Sequence, residues 1–263
     1  MKFGFFVVAT VIAVVFASCA SQRAASQNAA NQTSMQPAST VKQPVLVVLF
    51  TSEGCSSCPP ADRALALLEK QQPVSTADVI TLEFHVDYWD GPGWKDPFSS
   101  ALYSQRQEEY SSALKLDSNY TPQMVVNGKS EFVGSDLRKA TQTIEKLVAE
   151  PQAKATAESN GTSAKISLVA LPAHDTATVY LATVEDDLTS NVTGGENGGA
   201  KLAHTSVVRE LSTVGSVARD ADKFETETPL PSQSAWKKEN VRYVVFVQEN
   251  ASRKVLAVSR VTK

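Results

Sequence analysis

Two cysteines, Cys55 and Cys58, stand two residues apart in the stretch FTSEGCSSCPPADR, residues 50–63. A pair at this spacing supports three chemistries: thiol–disulfide exchange, half of a metal site, or a disulfide that only closes a small loop. A closed zinc site needs about four ligands, and the chain holds no second CxxC, leaving His85, His174 and His204 to complete one. With His85, the two thiolates form a set suited to Cu(I), a soft ion that favours sulfur. An inert staple gains little entropy from so small a ring. In exchange, the first cysteine attacks and the second resolves the mixed disulfide, which assigns Cys55 as nucleophile and Cys58 as resolver. The dithiol itself carries two electrons, so exchange requires no cofactor.

The elements around the pair suit exchange. Val45–Phe50 is a continuous apolar run of strand length, the pattern of a strand buried on both faces. A polar loop follows, and ADRALALLEK (61–70) has helical spacing, with Pro59 and Pro60 acceptable in a first turn. The cysteines therefore fall where a strand ends and a helix begins. A helix N-terminus offers unpaired N–H groups and about half a unit of positive charge, and both stabilise a thiolate. Glu53, two residues before Cys55, opposes that effect if its side chain lies close.

A second strand is expected over 79–86, VITLEFHV, with Thr81, Glu83 and His85 sharing one face. The loop DYWDGPGWKDPF (87–98) follows, and then a helix over 99–116. Asn127-Gly128 between two short apolar stretches predicts a hairpin joining 123–126 to 131–133. Ser135 is positioned to cap a last helix striped by Leu137, Ala140, Ile144, Leu147 and Val148. The order β-α-β-α-β-β-α, with CxxC after the first strand and Thr121-Pro122 before the third, is that of a thioredoxin-like α/β domain over residues 44–150. In that arrangement the proline is cis and faces the CxxC, and X-Pro bonds are where cis peptides occur. Thr121 and Pro122 would present backbone to an extended substrate segment.

Three further residues are candidates for supporting roles. Asp87 follows the second strand's C-terminal end, where open α/β sheets place their sites, and could take the Cys58 proton or merely cap the loop. Trp89 could shape a substrate groove or pack the loop down. Arg106 could lower a thiol pKa, bind an acidic substrate, or be an ordinary exposed charge on a helix.

The stretches TSEGCSSCPPAD and FHVDYWDGPGWKDPF, the pair Arg106-Gln107, and YTPQMVVNG together resemble the bacterial DUF1223 family. The resemblance covers roughly residues 44–260. It implies a secreted protein with a thioredoxin-like fold, and it supplies no activity.

From about residue 151 the pattern changes to strands at 163–170, 177–185, 201–211, 241–248 and 254–261, separated by polar turns. This predicts a small all-β, sandwich-like domain over 151–263, whose strands either pair among themselves or pack on the first sheet. The glycine-rich segment TGGENGGAKLAHTSVVREL (193–211) carries Glu196, His204 and Arg209. It reads either as a loop closing over Cys55 or binding a partner, or as a plain hairpin with a rim histidine.

The first 19 residues are read as a signal peptide of lipoprotein type: Lys2, an apolar run, and Phe16-Ala17-Ser18-Cys19 resembling a lipobox. Cleavage by ordinary signal peptidase is the alternative. Residues 20–43, rich in Ala, Ser, Gln and Asn, read as a disordered tether. The net charge of −3 and the lack of a Lys/Arg block exclude nucleic acid as a natural partner. The expectation is an exported, periplasmic or cell-envelope thiol–disulfide oxidoreductase with a protein or small-thiol partner. It would touch membrane only through a lipid at Cys19. The alternative is a binding or copper-delivery module that keeps the fold without turnover.

Overall fold

The structure, a computed structural model, describes residues 42–263. The expected signal peptide, Cys19 and most of the expected tether lie outside the described residues. Gln43, assigned above to the tether, already opens the first strand.

The N-terminal half runs β1 (Gln43–Thr51), α1 (Pro59–Gln71), β2 (Ala77–His85), α2 (Ala101–Leu114), β3 (Gln123–Val126), β4 (Ser130–Val133) and α3 (Leu137–Leu147). Strand β1 is parallel to β2 and antiparallel to β3, and β3 turns at Asn127-Gly128 into β4. Alternation along β1 divides two cores. Val45, Val47 and Leu49 meet Ala61, Leu65 and Leu68 of α1 and Ile144 of α3. Leu46, Val48 and Phe50 meet Tyr103 and Tyr110 of α2 on the opposite face. Helix α3 is capped by Asp136, whose side chain accepts from the Lys139 N–H, rather than by Ser135.

The C-terminal half supplies β5 (Lys154–Ser159), β6 (Ser163–Val169), β7 (Ala177–Glu185), β8 (Leu188–Asn191), β9 (Lys201–His204), β10 (Val207–Val217), β11 (Lys223–Pro229), β12 (Val241–Glu249) and β13 (Val255–Arg260). The boundary expected near residue 150 does not divide the described residues, which form one compact unit. Strand β10 pairs in parallel with the free edge of β2 through Val207 and Glu83. One eight-stranded sheet results, in the order β13-β12-β7-β10-β2-β1-β3-β4. A second sheet of three strands, β11-β6-β5, covers the β7, β12 and β13 end with Ile166 and Leu168 against Val179, Leu181 and Val247. The run expected as one strand over 201–211 breaks at Ser206, whose φ of 66° is left-handed. The break lets β9 pair with β8 while β10 enters the large sheet.

Arg106 lies in the core between α2 and the large sheet, 4% exposed. Its guanidinium sits 5.0–5.5 Å from the ring centres of Phe84, Tyr110, Tyr180 and Phe246 and donates to Gln248 Oε1 at 2.7 Å. Delocalised charge and a flat face make Arg the cation that tolerates such a cage. It joins α2 to β7 and β12; it is not the exposed helix charge the sequence favoured, and its guanidinium packs on core aromatics and not beside the thiols or an open substrate surface. Arg106→Ala should therefore lower unfolding free energy by roughly 3 kcal/mol in urea titration, from the emptied cage and an unpaired Gln248 Oε1. Arg106→Lys should restore little of it.

Candidate functional site

Cys55 and Cys58 are joined as a disulfide, with their Cα atoms 5.4 Å apart. The pair sits at the sheet end where β1 stops and α1 starts. Cys58 occupies the N-cap position of α1, its carbonyl accepting from the Ala61 and Asp62 N–H groups. The β1–β3 register, Phe50 opposite Gln123, brings Pro122 to the same end of the sheet. The Thr121–Pro122 peptide is cis. Around Gly134, whose N–H donates to the Pro122 carbonyl, Pro122 and Ala61 of the first turn of α1 come together.

Trp89 closes one side of this end. Its indole N–H donates to Thr121 Oγ1 at 2.7 Å, and its Cβ and carbonyl press against Gly54, where an added Cβ would stand 3.0 Å from each. The glycine at this position lets the tryptophan loop approach the residue before Cys55. Trp89 and Thr121 are thus brought together beside the disulfide. Asp87 is turned away from that role: its carboxylate accepts from Ser104 Oγ on α2 at 2.5 Å, and its own N–H donates to the same hydroxyl.

The glycine-rich segment covers the other side. Asn197 donates from Nδ2 to the carbonyls of Glu53, at 2.8 Å, and Cys55, at 2.9 Å. Glu196 Oε2 accepts from the Ser56 N–H at 3.0 Å, and the Ser56 hydroxyl, together with that N–H, holds its carboxyl below the usual range. Gly194 packs so tightly on Gly93 that no side chain fits between them. Beneath this cover Cys55 is 1% exposed and Cys58 is fully buried.

Flanking the CxxC in the chain, Glu53 and Asp62 enter a buried cluster of ionisable side chains. Asp62 follows Cys58 by one turn of α1, is 5% exposed, and accepts from Thr51 Oγ1 at 2.7 Å. Burial, reinforced by Glu83, pushes its carboxyl up to about 7. Glu53, Glu83 and His85 are fully buried, and Asp96 and His204 nearly so. His85 Nδ1 meets Asp96 Oδ2 at 2.7 Å and His204 Nε2 meets Glu53 Oε1 at 3.0 Å. Glu83 Oε1 lies 3.1 Å from His204 Nδ1 and 3.3 Å from His85 Nε2. Burial opposes charge on the imidazoles, but the carboxylates outweigh it: Asp96 and then Glu83 lift His85 to about 9, and chiefly Glu83 and Glu53 lift His204 to about 11. Burial likewise opposes the Glu83 charge, and the histidines overcome it, holding that carboxyl down at about 2.

The cluster gathers residues that the sequence scatters. Glu83 and His85 share a face of β2. Asp96 joins the tryptophan loop to β1 by accepting the Glu53 N–H at 2.8 Å, and Trp94 Nε1 donates to Glu53 Oε2 at 3.0 Å. His204, at the end of β9, is an interior residue and not a rim histidine. His85 faces Asp96 and Glu83, so the set expected for Cu(I), Cys55 and Cys58 with His85, is not the one that converges. Among the described residues, the group whose ligand atoms come together is Glu83, His85 and His204. Asp62 carried no chemical signal in the sequence beyond being an acid in a helix's first turn. Its position four residues after Cys58 is the one available clue, since residues at that spacing share a helix face.

The family model described as a protein of unknown function, DUF1223, matches residues 46–248. No curated protein matches the chain. The crystal structure of protein AGR_C_4864 from Agrobacterium tumefaciens is similar at a TM-score of 0.66 and 28% identity, over 83% of this chain and 93% of that one. HBP35 of Porphyromonas gingivalis shares the fold at a TM-score of 0.59 and 14% identity, over 83% of this chain and 74% of its own. No helix among the described residues is long and apolar enough to cross a membrane.

Gly194→Ala would drive a methyl group into the Gly93 carbonyl and push the 193–200 segment off the disulfide. Releasing the two Asn197 hydrogen bonds, about 1 kcal/mol each, sets an expected acceleration of roughly 30-fold in reduction by dithiothreitol. Gly91→Ala, where an added Cβ meets nothing within 4 Å, should leave the rate unchanged.

Proposed function

The chain belongs to the DUF1223 family, whose description carries no activity, and we propose from its geometry that it is a thiol–disulfide oxidoreductase acting on a protein or small-thiol partner. The carrying observation is the Cys55–Cys58 disulfide at a strand-to-helix junction, beside a cis Thr121-Pro122 and one helical turn before the buried Asp62. The run from β1 to α3 is read as a thioredoxin-like domain whose sheet is extended by the C-terminal strands. The signal-like N-terminus fits export to a compartment where disulfides persist. Lipidation at Cys19 is the finer form of the same reading.

In the oxidising direction, a partner thiolate attacks Cys55 Sγ, breaks the Cys55–Cys58 bond and forms a mixed disulfide with Cys55. Cys58 leaves as a thiolate and takes the proton of Asp62. A second partner thiol then attacks the partner's own sulfur and releases Cys55 as a thiolate, so that two electrons reach the CxxC and the partner holds the disulfide. The reducing direction is the reverse. Cys55 attacks the partner, Asp62 accepts the Cys58 proton, and Cys58 displaces the partner. The partner chain would lie extended beside Thr121 and Pro122, bonded to backbone as an added strand is. Both sulfurs lie under cover, so the cycle requires the 193–200 segment to lift when a partner docks.

The reduction potential of the pair tests this reading against an inert staple. Exchange pairs fall between roughly −270 and −120 mV, and structural disulfides below about −300 mV. A potential in the upper window, together with capture of a partner through Cys55 by Cys58→Ser, is the expected result. A value below the window with both thiols slow to alkylate would overturn it.

Asp62 makes the rate of resolution depend on pH. Below pH 7 its carboxyl is protonated and cannot accept from Cys58, so the rate should climb as pH rises through about 7. Asp62→Asn should remove that inflection in stopped-flow oxidation of the reduced protein and slow it on the order of 10²-fold at pH 8. The raised carboxyl also makes folding take up a proton between its unfolded and folded values, 3.8 and about 7. Its contribution to stability is therefore present below pH 4 and lost as pH rises through 7, a loss that Asp62→Asn should abolish in urea titrations.

A further inference from the structure

The Glu83, His85 and His204 group calls for an explanation that sulfur chemistry does not supply. Each imidazole has one nitrogen held by a carboxylate on its outer side: Asp96 on His85 Nδ1 at 2.7 Å and Glu53 on His204 Nε2 at 3.0 Å. A carboxylate in that place fixes the N–H on the nitrogen it faces and leaves a lone pair on the other. Those other nitrogens, His85 Nε2 and His204 Nδ1, both point at one atom, Glu83 Oε1. Two lone pairs and a carboxylate oxygen at 3.3 and 3.1 Å repel one another unless positive charge lies between them. That charge is either two protons or one metal ion.

His85 Nε2 distinguishes the two. It is buried and makes no well-aligned hydrogen bond although Glu83 Oε1 is 3.3 Å away, so a proton placed there would be held by the carboxylate's charge and not by a directed bond. A metal needs only a lone pair directed at it. The three donor atoms lie within 4.8 Å of one another. The two distances to Glu83 approach the separation of roughly 3.4 Å that tetrahedral ligands have around an ion at 2.0–2.1 Å. The second oxygen of Glu83 accepts the Thr205 N–H at 3.1 Å, which holds the carboxylate in place. The Phe98 ring stands 5.3 Å from the His85 ring and 5.6 Å from that of His204, giving the group an apolar wall.

The geometry points to a binding site for one divalent first-row transition ion, Zn²⁺ in the simplest case, held by Glu83 Oε1, His85 Nε2 and His204 Nδ1. Two imidazoles and a carboxylate suit a borderline ion better than Mg²⁺ or Ca²⁺, which select oxygen. Glu53 and Asp96 are positioning residues that orient the two rings. With three protein donors the ion keeps a further coordination position. Because Glu53 lies two residues before Cys55 and its carbonyl is held by Asn197, the site and the cover on the disulfide share a wall. The proposal stands apart from the redox reading, since no sulfur is among the ligands.

The test is metal analysis of the full chain with its disulfide intact, both as purified and after refolding from denaturant with Co²⁺ or Zn²⁺, because a buried site loads most readily while the chain folds. We expect one ion per chain, a Co²⁺ visible spectrum of nitrogen and oxygen ligation without a sulfur charge-transfer band, and a rise in Tm with metal. The Cys55→Ser/Cys58→Ser double variant should bind equally. Glu83→Gln and His204→Gln should weaken binding at least 100-fold. Glu53→Gln and Asp96→Asn should weaken it about 10–100-fold, as loss of an outer carboxylate does. Substoichiometric metal, a sulfur band, or binding that survives Glu83→Gln would each overturn the site. If the ligand variants fail to fold, the stoichiometry and Co²⁺ spectrum of the wild-type protein decide alone. Loss of binding in the double cysteine variant would place the metal at the CxxC instead. A low reduction potential for the disulfide would leave this site untouched, so failure of one reading is separable from failure of the other.

Discussion

A carboxylate removed from water costs several kcal/mol unless hydrogen bonds and opposite charge replace its hydration, and Glu83 is fully buried where the two halves of the molecule meet. Its backbone N–H donates to the Ser206 carbonyl, and its Cα stands opposite Val207 in the short parallel pairing of β2 with β10. One side-chain oxygen accepts the Thr205 N–H and the other faces His85 and His204. The residue thus joins the sheet extension and orders the histidines at once. Arg242 closes the same junction from the other side, donating to Asp186 and to Ser206 Oγ, while Thr81 Oγ1 meets that hydroxyl at 2.6 Å.

From that junction the constraint runs outward to the disulfide. His204 holds Glu53, the Glu53 N–H donates to the Asp96 carboxylate, and Asp96 anchors the loop that carries Trp89 and Trp94. Asn197 ties the covering segment to both Glu53 and Cys55. Buried polar groups in a connected set are strong only when every member is satisfied. A disturbance in the cluster therefore reaches the backbone on either side of the CxxC, and a change at the cover reaches the cluster. The face of the sheet that packs on α2 is organised differently, around Arg106 in its ring of aromatics, and serves to hold α2 in place.

The N-terminal elements were legible because their signals are local. A doubly buried strand reads as an apolar run, Asn-Gly reads as a hairpin, and CxxC followed by two prolines reads as a helix start. Strand positions in the C-terminal half were partly legible for the same reason, but their partners were not. Alternation states which face of a strand is apolar and says nothing of which edge it will join, so a free edge on β2 looked like the end of a domain. The charged and sparsely apolar β5 and β11, and the short β8, have periodicity too weak to stand out.

By itself, the sequence determined the CxxC, its strand-to-helix setting, the Thr-Pro before the third strand, and the shared face of Glu83 and His85. These follow from chemistry and spacing within a few residues. Only the tertiary structure decided that Arg106 points into the core, that Asp87 serves α2, and that Asp62 is buried against Thr51 and near Glu83. It alone brought His204 across 121 residues to Glu83. The reason is physical. Helix and strand periods specify faces, but which buried charges meet is set by long-range sheet pairing, and one parallel contact between β2 and β10 made that choice here.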